Sequence, residues 1–139
     1  MKTIIKSLKE TKKYAKLFCN TLKGGEIVLL KGDLGAGKTT FTKFVAKYLG
    51  VKVPVTSPTF TLIQEYNGKA LKLVHCDMYR VEDESEVIEM GLEDMLYEKS
   101  TDKVFIIEWP DKIPNILKNL KTINITIEKG EDGRYFTIE

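Results

Sequence analysis

The stretch Gly32-Asp33-Leu34-Gly35-Ala36-Gly37-Lys38-Thr39-Thr40 decides how the rest of this sequence is read. Gly32, four intervening residues and then Gly37-Lys38-Thr39 complete the Walker A pattern. Each position has a physical reason. Glycines let successive backbone N–H groups converge on phosphate oxygens without Cβ clashes, which makes an anion nest. A helix starting near Lys38 adds the positive end of its dipole. Lys38 is placed to reach the β- and γ-phosphates and the Thr39 hydroxyl to ligate Mg²⁺, with Gly35, Ala36 and Thr40 completing the cradle. A chain of this size matches such a pattern by chance on the order of 0.5% of the time at average residue usage.

The flanks agree with the loop. Glu26 to Lys31 is a short apolar run bounded by glycines, the mark of a buried strand. Phe41, Phe44, Val45, Tyr48 and Leu49 recur at helical spacing until Gly50. The order is therefore strand, glycine loop, helix. Upstream, residues 3–5 read as a short edge strand. Ser7-x-x-Glu10 then opens a helix along Thr11, Ala15, Phe18 and Leu22, which Gly24-Gly25 ends. Downstream, 59–66 and 69–78 flank Asn67-Gly68 as a predicted hairpin. Asp83-x-x-Glu86 predicts a helix to Met90, followed by a second over 93–100. Val104 to Ile107 reads as a strand covered on both faces, and 121–128 with 134–138 as a last strand pair. These elements predict an α/β fold: a P-loop NTPase-like three-layer sandwich, its central sheet parallel with antiparallel additions.

A length of 139 residues predicts one domain spanning 1–139, and 42% hydrophobic with 30% charged residues excludes a disordered or fibrous chain. A net charge of +2, with acids and bases interleaved along the chain, gives no footprint for charge-driven nucleic-acid binding. Cys19, Cys76 and His75 cannot supply a four-ligand zinc site, and the thiols read as reduced ones in a cytoplasmic protein. The lysine-dotted N-terminus has no signal-peptide core, and no apolar run approaches the ~18 residues of a membrane span.

A phosphate loop needs an acid at the end of a neighbouring strand to help hold Mg²⁺. Val104-Phe105-Ile106-Ile107-Glu108 has that shape, and Leu73-Val74-His75-Cys76-Asp77 is a looser version. The pattern favours Glu108 beside the metal and leaves Asp77 to orient water, or the reverse. His75 taken alone reads as a strand residue with a satisfied hydrogen bond. Trp109-Pro110 reads equally as a rim aromatic with a strand stop or as a partner contact. Ser57, Pro58 and Thr59 lie in a loop that either senses the γ-phosphate as a switch or is a plain proline turn.

Together these motifs resemble the bacterial TsaE (YjeE) family. The glycine loop, Ser57-Pro58-Thr59-Phe60, His75-Cys76-Asp77-Met78-Tyr79-Arg80 and Glu108-Trp109-Pro110 follow that family's order over about residues 7–128. The resemblance implies the ATPase component of the tRNA threonylcarbamoyladenosine machinery, acting with the TsaB and TsaD proteins and touching tRNA only through that complex. ATP hydrolysis would reset or activate the transferase. It implies ATP on Gly35 to Thr40, Mg²⁺ on Thr39 and Glu108, Asp77 assisting hydrolysis, and 57–59 as the switch. Tyr79, Arg80, Trp109 and His75 are motif residues without a fixed role. The base would lie near Glu10, Thr11 and Asp132.

Two other classes compete. A small-molecule P-loop kinase clamps the moving phosphoryl group with lid arginines; Arg80 and Arg134 are the only arginines in the chain. A GTP switch needs an Asn/Thr-Lys-x-Asp motif, which is absent. An ATP-gated scaffold with little hydrolysis shares every motif and differs only in turnover.

Overall fold

The computed structural model describes residues 1–58 and 60–139. Among these residues seven strands, β1 Lys2–Ile5, β2 Ile27–Lys31, β3 Ile63–Asn67, β4 Lys72–Asp77, β5 Lys103–Glu108, β6 Ile123–Gly130 and β7 Gly133–Ile138, form one sheet in the order β1-β7-β6-β2-β5-β4-β3. The central four, β6, β2, β5 and β4, run parallel. β3, β7 and β1 add antiparallel edges. The helices are α1 Leu8–Cys19, α2 Lys38–Leu49, α3 Glu84–Glu89, α4 Leu92–Tyr97 and α5 Pro114–Leu117.

Apolar runs in β2 and β5 follow from coverage on both faces. Val28, Leu30, Val104 and Ile106 meet Ala15, Phe18, Phe41 and Val45 of α1 and α2. Ile27, Leu29, Phe105 and Ile107 meet Val87, Leu92, Leu96 and Ile116 of α3, α4 and α5. That is the three-layer sandwich predicted from the sequence. Each such side chain contributes about 1.5–3 kcal/mol when fully buried, so both faces hold the sheet. Cys19 packs in the first cluster and Cys76 in the second, on opposite sides of the sheet, so the thiols do not meet. Burial pushes the Cys19 thiol up to about 11.

One aromatic cluster fixes the phosphate-loop helix. The Phe41 ring, fully buried, lies 5.8 Å from Phe18, 5.6 Å from Phe136 and 6.1 Å from Tyr14. Phe41 stands three residues after Lys38, so this packing anchors the first turn that presents the loop.

Several details differ from expectation. α1 ends at Cys19 rather than at Gly24, because Asn20, Thr21 and Leu22 tighten into turns on Lys16, Phe18 and Cys19 carbonyls. The hairpin forms, but Asn67-Gly68 is not its two-residue turn. Asn67 pairs with Lys72, and Gly68 N–H donates to Leu71 O across a four-residue connection. Tertiary docking explains this shift: Lys69 N–H donates to Leu49 O at the end of α2 (2.8 Å). β3 begins at Ile63, not at 59. The chain turns first, with Leu62 at φ 63°. The 3₁₀ turn Pro110–Lys112 and α5 carry no periodicity long enough to have been read.

Charge is sorted by layer rather than interleaved. Residues 82–98, which hold α3 and α4, contain Glu82, Asp83, Glu84, Glu86, Glu89, Glu93, Asp94 and Glu98 and no base. α1 and α2 carry Lys9, Lys12, Lys13, Lys16, Lys43 and Lys47 at their surface. Among the described residues, no helix is long and apolar enough to cross a membrane.

Candidate functional site

β2 ends at Lys31, the loop 32–37 follows, and α2 starts at Lys38, so the loop lies at the carboxyl ends of the parallel strands. Open α/β sheets bind their ligands there. Gly32 is required by close approach: a Cβ there would sit 2.5 Å from the Ile127 carbonyl oxygen of β6. Gly37 is required by conformation, with φ 114° at the N-cap of α2. Among the described residues no side chain caps this helix, and its first turn holds no acid. Phe41 N–H makes the first helical bond, to Gly37 O (2.9 Å), so the Lys38, Thr39 and Thr40 N–H groups have no acceptor within the helix. An uncapped helix N-terminus in a glycine cradle is a place for an anion.

Lys38 is 5% exposed. Its ammonium donates to Gly32 O and lies 3.9 Å from the centre of the Trp109 ring. Burial lowers its pKa, and Glu108, Asp77, Asp33 and Asp111 pull it back up. A buried ammonium held by a carbonyl and a ring face, with no acid within ion-pair distance among the described residues, fits an incoming polyphosphate.

The two predicted acids come together. Asp77 and Glu108 are register partners at the ends of β4 and β5. Both line an open cleft of about 450 Å³ with Leu34, Lys38, Thr39 and Arg134. Their surroundings differ. Glu108 is 3% exposed, and its Oε2 lies 2.6 Å from His75 Nε2. Asp77 is half-buried: Ser57 Oγ donates to its Oδ2 (3.0 Å) and Tyr79 N–H to its Oδ1 (3.0 Å). The Thr39 hydroxyl and the two carboxylates offer hard oxygen donors, which fit a small divalent cation.

Trp109 follows Glu108 with φ 56°, an uncommon conformation for a bulky residue and one that recurs at functional sites. Its ring packs 4.9 Å from that of Tyr79. Arg80 lies 5.0 Å over the exposed Phe60 ring, which joins the His75–Arg80 motif to the 57–60 loop. Ser57 lines the cleft, Pro58 is buried beside it, and Thr59 of the expected switch lies outside the described residues.

Three expected base contacts do not line that cleft. The Glu10 carboxylate is taken up by Lys6 N–H (3.0 Å) and Ser7 at the start of α1. The Thr11 hydroxyl donates to Ser7 O (3.1 Å), and Asp132 is an exposed turn residue. Gly32 and Ala36 line a second, smaller cleft with Lys129. Sequence reasoning missed Lys129, whose Nζ would stand 3.3 Å from a Cβ at Gly35. It missed Arg134 as a cleft residue too. Neither lies in a motif; the pairing of β6 with β2 and β7 brings them in. Both arginines of the chain line the cleft that holds Asp77 and Glu108, so their small number says less about a phosphate clamp than their placement does.

A parallel-centred three-layer sheet with this uncapped glycine loop at its carboxyl edge defines a P-loop protein. Within that class, residues 5–136 match the family described as "Threonylcarbamoyl adenosine biosynthesis protein TsaE", and the chain belongs to it. Relatives named "tRNA threonylcarbamoyladenosine biosynthesis protein TsaE" include one from Bacillus subtilis, 44% identical over 128 residues that cover 92% of this chain and 78% of the relative. Another, from Rickettsia bellii, is 44% identical over 83% of this chain and 78% of its own. The crystal structure of Bacillus subtilis YdiB superposes with a TM-score of 0.77 at 35% identity, covering 99% of this chain and 83% of that one.

Proposed function

We propose that this chain is a Mg²⁺-dependent ATPase serving tRNA threonylcarbamoyladenosine formation, built as one P-loop domain and working in the cytoplasm with TsaB and TsaD. The observation that carries the enzymatic part is the placement of Lys38 and the uncapped start of α2 opposite the paired carboxylates Asp77 and Glu108. The pathway rests on the relatives' names. The partners, and a route to tRNA only through them, rest on the family resemblance.

The backbone N–H groups of Lys38, Thr39 and Thr40 and the Lys38 ammonium would hold the phosphates. Thr39 and Glu108 would hold Mg²⁺, which when bound neutralises phosphate charge. Asp77 would hold the attacking water through the carboxylate that Ser57 and Tyr79 N–H orient. Arg80 and Arg134 would face the charge that develops on the phosphoryl oxygens. Ser57 links loop 57–59 to Asp77, which supports that loop as the switch. The missing guanine motif favours ATP over GTP.

The test is ATP hydrolysis by the purified chain with and without Mg²⁺, then with TsaB and TsaD added. Stimulation in the mixture is expected. Phosphate transfer to small acceptors above hydrolysis would instead support a kinase, and tight ATP binding without turnover in any mixture a scaffold.

A further inference from the structure

His75 is fully buried on β4, its Nε2 2.6 Å from Glu108 Oε2, and its Nδ1 has no partner among the described residues. The strand register sets this pair. His75 stands opposite Ile106 and Asp77 opposite Glu108, so His75 reaches Glu108 along the diagonal of two parallel strands. Leu73, two residues back on the same face, and Ile106 belong to the apolar cluster under α1 and α2. The contact lies where that cluster gives way to the cleft.

The orphaned Nδ1 assigns the proton. An imidazolium, or a neutral ring protonated on Nδ1, leaves an N–H donor buried and unpaired, at the desolvation cost of that group. A neutral ring protonated on Nε2 leaves only a lone pair there. In that form Nε2–H donates to Oε2.

We infer that His75 is a positioning residue that fixes Glu108 as a one-oxygen ligand and thereby biases the site toward Mg²⁺ over Ca²⁺. The inference rests on the proposed placement of Glu108 beside Mg²⁺. A carboxylate free to turn offers one oxygen or two. With one lone pair of Oε2 engaged by a buried donor and the ring packed against it, Oε1 is the freer oxygen to serve a cation. Mg²⁺ demands octahedral, short, single-oxygen contacts, while Ca²⁺ accepts more ligands and bidentate carboxylates. A ring locked between strands restrains the carboxylate more tightly than solvent would.

The experiment compares the wild-type chain with His75→Leu, which removes the donor, and His75→Gln, whose amide returns an N–H near the position of Nε2. ATP affinity is titrated in Mg²⁺ and in Ca²⁺, calorimetrically and without turnover, and thermal unfolding is recorded alongside. His75→Leu is expected to raise the Mg²⁺ half-saturation about tenfold, to affect Ca²⁺ less, and so to narrow the preference. His75→Gln is expected to restore most of it. An unchanged Mg²⁺-to-Ca²⁺ ratio in His75→Leu overturns the inference, whatever the loss of stability. If His75→Leu does not fold, a His75→Gln chain with the lowered ratio overturns it equally. Wild-type ATP binding indifferent to any divalent cation would instead overturn the proposed metal role of Glu108.

Discussion

The ends of β4 and β5 carry the same chemistry in opposite settings. Asp77 and Glu108 are neighbours across the register, yet Glu108 is buried on a histidine while Asp77 is tied to a loop hydroxyl and a backbone N–H. A carboxylate held in a packed core keeps one geometry. One held by a loop moves when the loop moves. The two settings divide the labour: the β5 end suits a fixed ligand, and the β4 end suits a group whose position depends on the state of the cleft.

The largest expected effect removes what both ends face. Lys38→Ala should weaken ATP binding by about 2–5 kcal/mol, the usual cost of removing one partner of a buried charge pair, with little change in circular dichroism. Unchanged affinity would break the site assignment altogether. Glu108→Ala should raise the Mg²⁺ requirement more than any other change at these two strand ends. It also strands the His75 Nε2–H, so unfolding stability should fall by about 1–3 kcal/mol. Asp77→Ala should leave stability within about 1 kcal/mol, because its partners reach water. Its turnover should fall about 100-fold with ATP affinity nearly kept. If the two variants exchange these signatures, the roles of the acids are exchanged as well. Ser57→Ala should give the smallest effect, a severalfold loss of turnover as the Asp77 carboxylate loses the hydroxyl that donates to it. A loss as large as that of Asp77→Ala would mean that the loop does more than hold the acid.

Much of this was legible because local physics imposes it. The glycine pattern at 32–37 has few other uses, and the loop adopts the geometry those glycines allow. The apolar runs at 27–30 and 104–107 required a sheet covered on both faces, and it is. Capping at Ser7 and Asp83 started α1 and α3 where expected. One local preference was overridden. Asn67-Gly68 has a strong local preference for a two-residue turn, but docking of Lys69 on Leu49 outweighs it. Glu10 and Thr11, by contrast, stay in the local cap that Ser7-x-x-Glu10 already records, and neither lines the cleft. The eight acids of 82–98 are visible in the chain, but their separation from the lysines of α1 and α2 depends on which face of the sheet each helix covers.

The phosphate loop, the strands around it and the two acids could be read from residue order, because spacing and alternation act over a few residues. Folding is what brings His75 to Glu108, lays Lys38 against Trp109, and sets Arg134 and Lys129 beside the loop. Those contacts cross from one strand or helix to another. The order and register of the sheet, rather than distance along the chain, determine which residues meet there.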